Sequence, residues 1–537
     1  MTGLFLVIRP ALATAGDNAP VKPSECAGPT STQTAMDCAG TEDSRTVAEA
    51  DALAQKGEIA LKERQFDKAI TEETESLRLK PENARAYGIR GKAYYGKGEF
   101  TLAIADETDA IRLDPRNETY FVIRGAAYVH DREPDLAIAD ESEALRLKTN
   151  TLPALVARTR AYEMKGQFDL ALADDDEAIR QDSKSIDLLR EHANLYRQMG
   201  RYDEAIADAN TILQSNPDYA PALAIRGLSN MPKKNYDAAI TDFSRVITLT
   251  PNNPEPLVFR GDAYLKQGKY DLAIADDTMA IRLKPDFANA YVRRGLVYED
   301  KGSYDLAIAD ENRAIELAPN SAEPMAIRGA TYRNKGQYDQ AIADETAALQ
   351  LDPKYEAAYV ARGMIYSSKG QLDLAIADQT AAIQLNPQDA NAYARRSEEY
   401  MRSGKYELAE ADDTQAIRVA PDFPGAYNDR CWVRAIIGKD FDAALADCNE
   451  ALRLSPKFGI ALDSRGFVEL RMNQFDKAIS DFDASLQIYP KSPNSLYCRG
   501  IAKQRSGDMS GGNADITAAK AIDPDIAKTY SGYGIDL

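Results

Sequence analysis

The chain has 537 residues, 44% of them hydrophobic, and a formal net charge of −19 with only two histidines. That length exceeds one compact core, and the acidic balance, with no Lys/Arg-rich run to offset it, argues against a nucleic-acid partner. The histidines, His130 and His192, have no Cys or carboxylate at ligand spacing, so neither a metal nor another cofactor is expected.

In chain order, residues 1–16 carry a short apolar run from Leu4 to Ile8, followed by Ala13-Thr14-Ala15. This reads as an atypical export signal, interrupted by Arg9-Pro10 and too short to span a bilayer. Residues 17–45 are rich in Pro, Ser, Thr and Gly and are expected to form a disordered linker. From 46 to 526 the chain is periodic. Pro217, Pro251, Pro285, Pro319, Pro353, Pro387 and Pro421 recur every 34 residues, and the register continues to Pro524 after a one-residue insertion near Lys439. Fourteen copies begin at 50, 84, 118, 152, 186, 220, 254, 288, 322, 356, 390, 424, 459 and 493. Residues 527–537 are expected to form a capping helix and tail.

The copy from Ala84 to Asn117 shows the unit. Tyr87, Gly91 and Tyr94 lie at helical spacing in its first half, and Ala103, Ala110 and Leu113 in its second. Gly96-Lys97-Gly98 separates two helices and Pro115 closes the second. The eighth position is Gly in ten copies and the twentieth is Ala in thirteen, so two helices approach closely there. Bulky residues at the fourth, eleventh and seventeenth positions fill the spaces around that contact. No segment alternates with a period of two, so no sheet is expected. Glu410 stands where other copies have Ile or Leu, and the pattern offers no reason for it.

Tyr87, Gly91, Tyr94, Ala103, Ala110 and Pro115, and again Tyr291, Gly295, Tyr298, Ala307, Ala314 and Pro319, resemble the tetratricopeptide repeat (TPR) pattern. The resemblance implies an all-α, right-handed α-solenoid of about fourteen units. It also implies a noncatalytic scaffold binding an extended peptide or protein segment in a concave groove lined by the first helices. The groove positions it implies include Arg160, Arg190, Asn194, Arg197, Lys266, Arg333 and Arg402, turning apolar at Trp432, Phe467 and Leu470, for which packing beneath the neighbouring repeat is an equal alternative. Arg190 and Asn194 open the family's carboxylate clamp, but Ile225, Glu255 and Phe259 break it, so capture of a chaperone tail is not supported. The rival readings are a regulatory or substrate-presenting arm for a separate enzyme such as a glycosyltransferase, and a self-associating rod. No nucleic-acid partner and no membrane span are expected.

The chain departs from the family by placing Arg where Leu usually precedes the Gly, in twelve copies from Arg90 to Arg499. Every copy is acidic at the twenty-third position, and many at the twenty-fourth as well. Matched Arg and acid in copy after copy predict an internal ladder of ion pairs between helices. Cys431 and Cys448 share one copy, replacing its close-packing Gly and the residue four places after Ala444; the two positions face each other across the helix pair, and a disulfide is expected. Cys26 and Cys38, both in the linker, form a second candidate pair, leaving Cys498 as a core thiol. Together with the leader they suggest a periplasmic or secreted protein, with the cytoplasm as the alternative.

Overall fold

Small residues at the eighth and twentieth positions let each helix pair close, and that one contact is repeated through the molecule. The computed structural model describes residues 32–535, with side chains from 45 onward. Among the described residues there are 29 helices, α1 to α29 in chain order, and no strand. From α2 (Phe66–Leu79) to α28 (Met509–Ile522) each is 11 to 14 residues long. The chain is an all-α solenoid of stacked helix pairs.

The chain divides into two units. The first ends at Arg201 and the second starts at Tyr202, between α9 (Ile186–Gln198) and α10 (Tyr202–Ser215). In the first, α1 (Thr32–Lys62) packs on α2, α3 (Ala84–Lys97) on α4 (Phe100–Leu113), and α5 (Glu118–His130) on α6 (Pro134–Leu147). The first helices α1, α3, α5 and α7 (Leu152–Met164) also touch one another in succession, forming a continuous face. Fully buried alanines mark each crossing, among them Ala103, Ala110, Ala137 and Ala144.

The turn inside each pair needs one residue in the left-handed region. Ten copies use Gly at the fifteenth position, as at Gly98 with φ 78°. The other four hold Arg64, Arg132, Lys234 and Asn473 there at φ 58–61°. At the eighth position the requirement is space, since a Cβ on Gly91 would sit 2.7 Å from Glu107 Oε1.

One expectation changes. The linker of 17–45 gives way to helix from Thr32, where the segment beyond Pro29 has no proline to break one. Pro134, which stands at an aromatic position, leaves its helix unbroken because it occupies the first turn of α6, where no N–H bond is lost. The leader of 1–16 lies outside the described residues.

Candidate functional site

The Arg at the seventh position and the Asp at the twenty-third meet across each helix pair. In the copy at 84, Arg90 Nε and Nη2 donate to Asp106 Oδ2 and Oδ1, each at 2.8 Å. Twelve such bidentate pairs occur among the described residues, from Arg90–Asp106 to Arg499–Asp515. The third arm of each guanidinium reaches back one repeat. Arg90 Nη1 donates to Thr74 Oγ1 at 3.2 Å, Arg226 to Asn210 Oδ1 at 2.7 Å, and Arg260 to Ser244 Oγ at 2.9 Å. Tyrosines of the same helix flank the fork, with Arg294 5.8 Å from the Tyr291 ring centroid and 5.9 Å from that of Tyr298. The ladder therefore joins successive repeats as well as the two helices of one. Sequence reasoning missed that second link, although short polar residues at the twenty-fifth position of every copy carry it. His192, in an Arg position, does the same with Asp176 at 3.2 Å.

The twenty-fourth position is chemically different. Glu107, Glu141, Glu311 and Glu345 are buried against the glycine of the partner helix, in the space that Phe243 and Phe482 fill in other copies. Both oxygens of Glu73, Glu107, Glu141 and Asp277 lack a hydrogen-bond partner. Burial pushes these carboxyls to about 8, 9, 10 and 8 respectively. Burial thus favours their neutral form near pH 7, and they do not belong to the Arg ladder. Glu410 is explained by Arg434, which donates to it at 2.7 Å and to Asp447 at 2.8 Å.

The groove candidates separate into three groups. In the first unit, Arg160 lies at the rim of a cavity of about 390 Å³ on the first-helix face, lined by Tyr95, Val122, Ala126, Val129, His130 and Val156 among others. Arg190 donates to Glu191 Oε1 at 2.8 Å, and the same oxygen lies 3.9 Å from Arg160. Asn194 and Arg197 are half-buried on α9. In the second unit Lys266 is exposed, while Arg333 makes only long contacts, 3.4 Å, to its neighbour Asn334. Arg402 ties α21 (Ala390–Arg402) to α19 (Glu356–Ser368) by donating to Ser367 Oγ at 2.6 Å.

The apolar trio is a correction. Phe467 and Leu470 are fully buried, and Trp432 packs against the same core cluster. Their cover is α29 (Ile526–Gly532): the Tyr530 centroid lies 5.8 Å from Phe467 and 6.5 Å from Trp432, and Tyr533 lies 5.8 Å from Trp432. Arg471 Nη1 holds the segment by donating to the Tyr533 carbonyl at 2.7 Å. These side chains are apolar because the chain's own end sits on them. A disulfide joins Cys431 and Cys448, and Cys498 is a buried free thiol. Cys26 and the side chain of Cys38 lie outside the described residues. No group of metal-ligating side chains occurs among the described residues, and no helix among them is long and apolar enough to cross a membrane.

Repeated helix pairs, tied by internal ion pairs and presenting a continuous first-helix face, define a helical-repeat scaffold for protein interaction. Tetratricopeptide repeat models match residues 54–118, 190–254 and 260–322, and further ones match 312–343 and 356–389. The chain carries tetratricopeptide repeats over these stretches. Among solved structures it is similar to the APC/C hetero-tetramer Cut9-Hcn1 (16% identity, TM-score 0.45, 90% of this chain and 96% of that one). It is also similar to a tetratricopeptide repeat protein from Parabacteroides merdae (22%, 0.41, 46% and 98%) and to yeast Tom70 (18%, 0.37, 83% and 99%). No curated protein matches the sequence.

Proposed function

We propose that the protein is a noncatalytic scaffold that holds an extended segment of another protein on the first-helix face of its amino-terminal unit. The observation that carries this reading is the apolar cavity formed by α3, α5 and α7, which lies at the positions where repeats of this family present variable side chains. At the carboxyl end the corresponding face is filled by α29, so the open wall lies elsewhere. An exported location belongs to the same proposal, supported by the Cys431–Cys448 bridge, which persists best in an oxidising compartment.

The test is site-specific photocrosslinking in the cell of origin. A photoreactive residue at His130, exposed at the cavity, should capture a protein partner. The same residue at Leu136, exposed on a second helix, should not. Capture from 136 alone, or from neither site, would reject the reading.

A further inference from the structure

The cavity's lining says what kind of segment it takes, an inference that rests on the reading above. Val122, Val129, Leu152, Pro153 and Val156 give it an apolar floor. Ala126 lines it with a small side chain. At the same position other copies carry Arg160, Asp262 and Trp432, longer side chains that would intrude on it. One wall is firm, since His130 stacks on Phe100 at 4.4 Å with parallel rings and meets Tyr95 edge-on at 5.8 Å.

At the rim stands a cation with its hydrogen-bonding capacity largely uncommitted. Arg160 is 53% exposed and faces Glu191 Oε1 at 3.9 Å, beyond hydrogen-bond distance, while that oxygen already accepts from Arg190 at 2.8 Å. The ladder arginines, by contrast, place two donors on one carboxylate at 2.6–2.9 Å. A guanidinium beside an apolar hole is complementary to a carboxylate beside an apolar side chain. A volume of about 390 Å³ lies at the lower end of the range for small-ligand sites, room for one large side chain with its adjoining backbone. We infer that this pocket anchors a segment in which a large aliphatic or aromatic residue sits next to an acidic residue or a chain-terminal carboxylate, which Arg160 binds.

The experiment selects a displayed library of random peptides against the whole chain and measures labelled winners by fluorescence anisotropy. Enriched peptides should place Leu, Ile or Phe beside Asp, Glu or a free carboxyl end. Arg160→Glu should weaken them roughly tenfold or more, as loss of a charged hydrogen bond requires, and should favour peptides with Lys in place of the acid. Ala126→Trp should abolish the enrichment by filling the hole. The chain already tolerates Trp at this position in another copy, and Ala126→Leu serves if the larger residue lowers the melting temperature. Enrichment without an acid, or unchanged by Arg160→Glu, would overturn the inference and leave the scaffold reading standing. Enrichment indifferent to Ala126→Trp, or none at all, would overturn the site and the reading with it.

Discussion

Glu141→Gln tests whether the buried carboxyls are neutral passengers of the packing. Glu141 is fully buried against Gly125, neither oxygen has a partner, and burial raises its carboxyl to about 10. In the unfolded chain it ionises near 4.5. Its contribution to stability is therefore fully present below 4.5 and is lost progressively as pH rises toward the folded value. Within that window the unfolded state releases a proton that the folded state keeps, so stability falls by about 1.4 kcal/mol per pH unit. Between pH 5.5 and 7.5 the loss attributable to this residue is about 3 kcal/mol. Glutamine has nearly the same shape and does not titrate, and Gln379 already occupies the equivalent position beside Gly363. The variant's stability relative to the parent should thus improve by about 3 kcal/mol on going from pH 5.5 to pH 7.5, whatever fixed cost the amide carries. Urea unfolding followed by circular dichroism at both values, with hydrogen exchange of α5 and α6 as the local readout, measures it. Parallel pH profiles for parent and variant would show that the carboxylate is ionised or hydrated in the fold, and the argument would fail.

Three further outcomes follow from the geometry. Arg328→Leu leaves Asp344 without donors that now lie at 2.6 and 2.7 Å and cuts the link back to Asn312. It should cost more than about 1.5 kcal/mol, below the 3–5 of a fully buried pair because the Arg side chain is partly exposed, and an unmoved urea midpoint would return the ladder to surface charge. Arg132→Gly relieves a left-handed residue at φ 61°. Relief of about 1–2 kcal/mol against the entropy of glycine should leave a gain of up to about 1 kcal/mol, seen as a higher melting temperature. Deleting residues 526–537 uncovers Phe467 and Leu470, and the fluorescence of Trp432, the chain's single Trp, should shift to the red; unshifted emission would mean that α29 does not shield it.

The repeat and its two helices were legible because a 34-residue period imposes the same packing constraint on every copy. The Arg–Asp pairing was legible for the same reason. The divided fate of the neighbouring acids was not. Asp106 and Glu107 look alike in the sequence, yet helical geometry turns one toward the guanidinium of Arg90 and the other toward the adjoining Gly91. The occupied end was only half legible: Trp432, Phe467 and Leu470 read equally as an apolar wall or as packing beneath a neighbouring repeat, because pattern alone gives the face a residue lies on and not what covers that face. The cavity was overlooked for the opposite reason. Its signal is a small residue, Ala126, at a position where most copies carry longer ones, and reading for charge and bulk passes over an absence.

The placement of the ladder bears on how such a chain can specialise. Each arginine bonds an aspartate sixteen residues ahead (seventeen at Arg430) and a polar group sixteen residues behind, both on second helices. Registration between repeats thus uses a row of positions separate from those that line the first-helix face. Because each unit's stability depends on itself and its neighbours, a change at Ala126 or Arg160 alters what the face presents without removing any Arg–Asp pair of the ladder. The exception proves instructive at Arg402, a groove position that has been drawn into holding Ser367 across two repeats. Where the face is used for internal ties, or covered as at α29, it is unavailable to a partner. The amino-terminal cavity, bordered by an arginine outside the ladder, combines apolar depth with a charge not engaged in holding the repeats together.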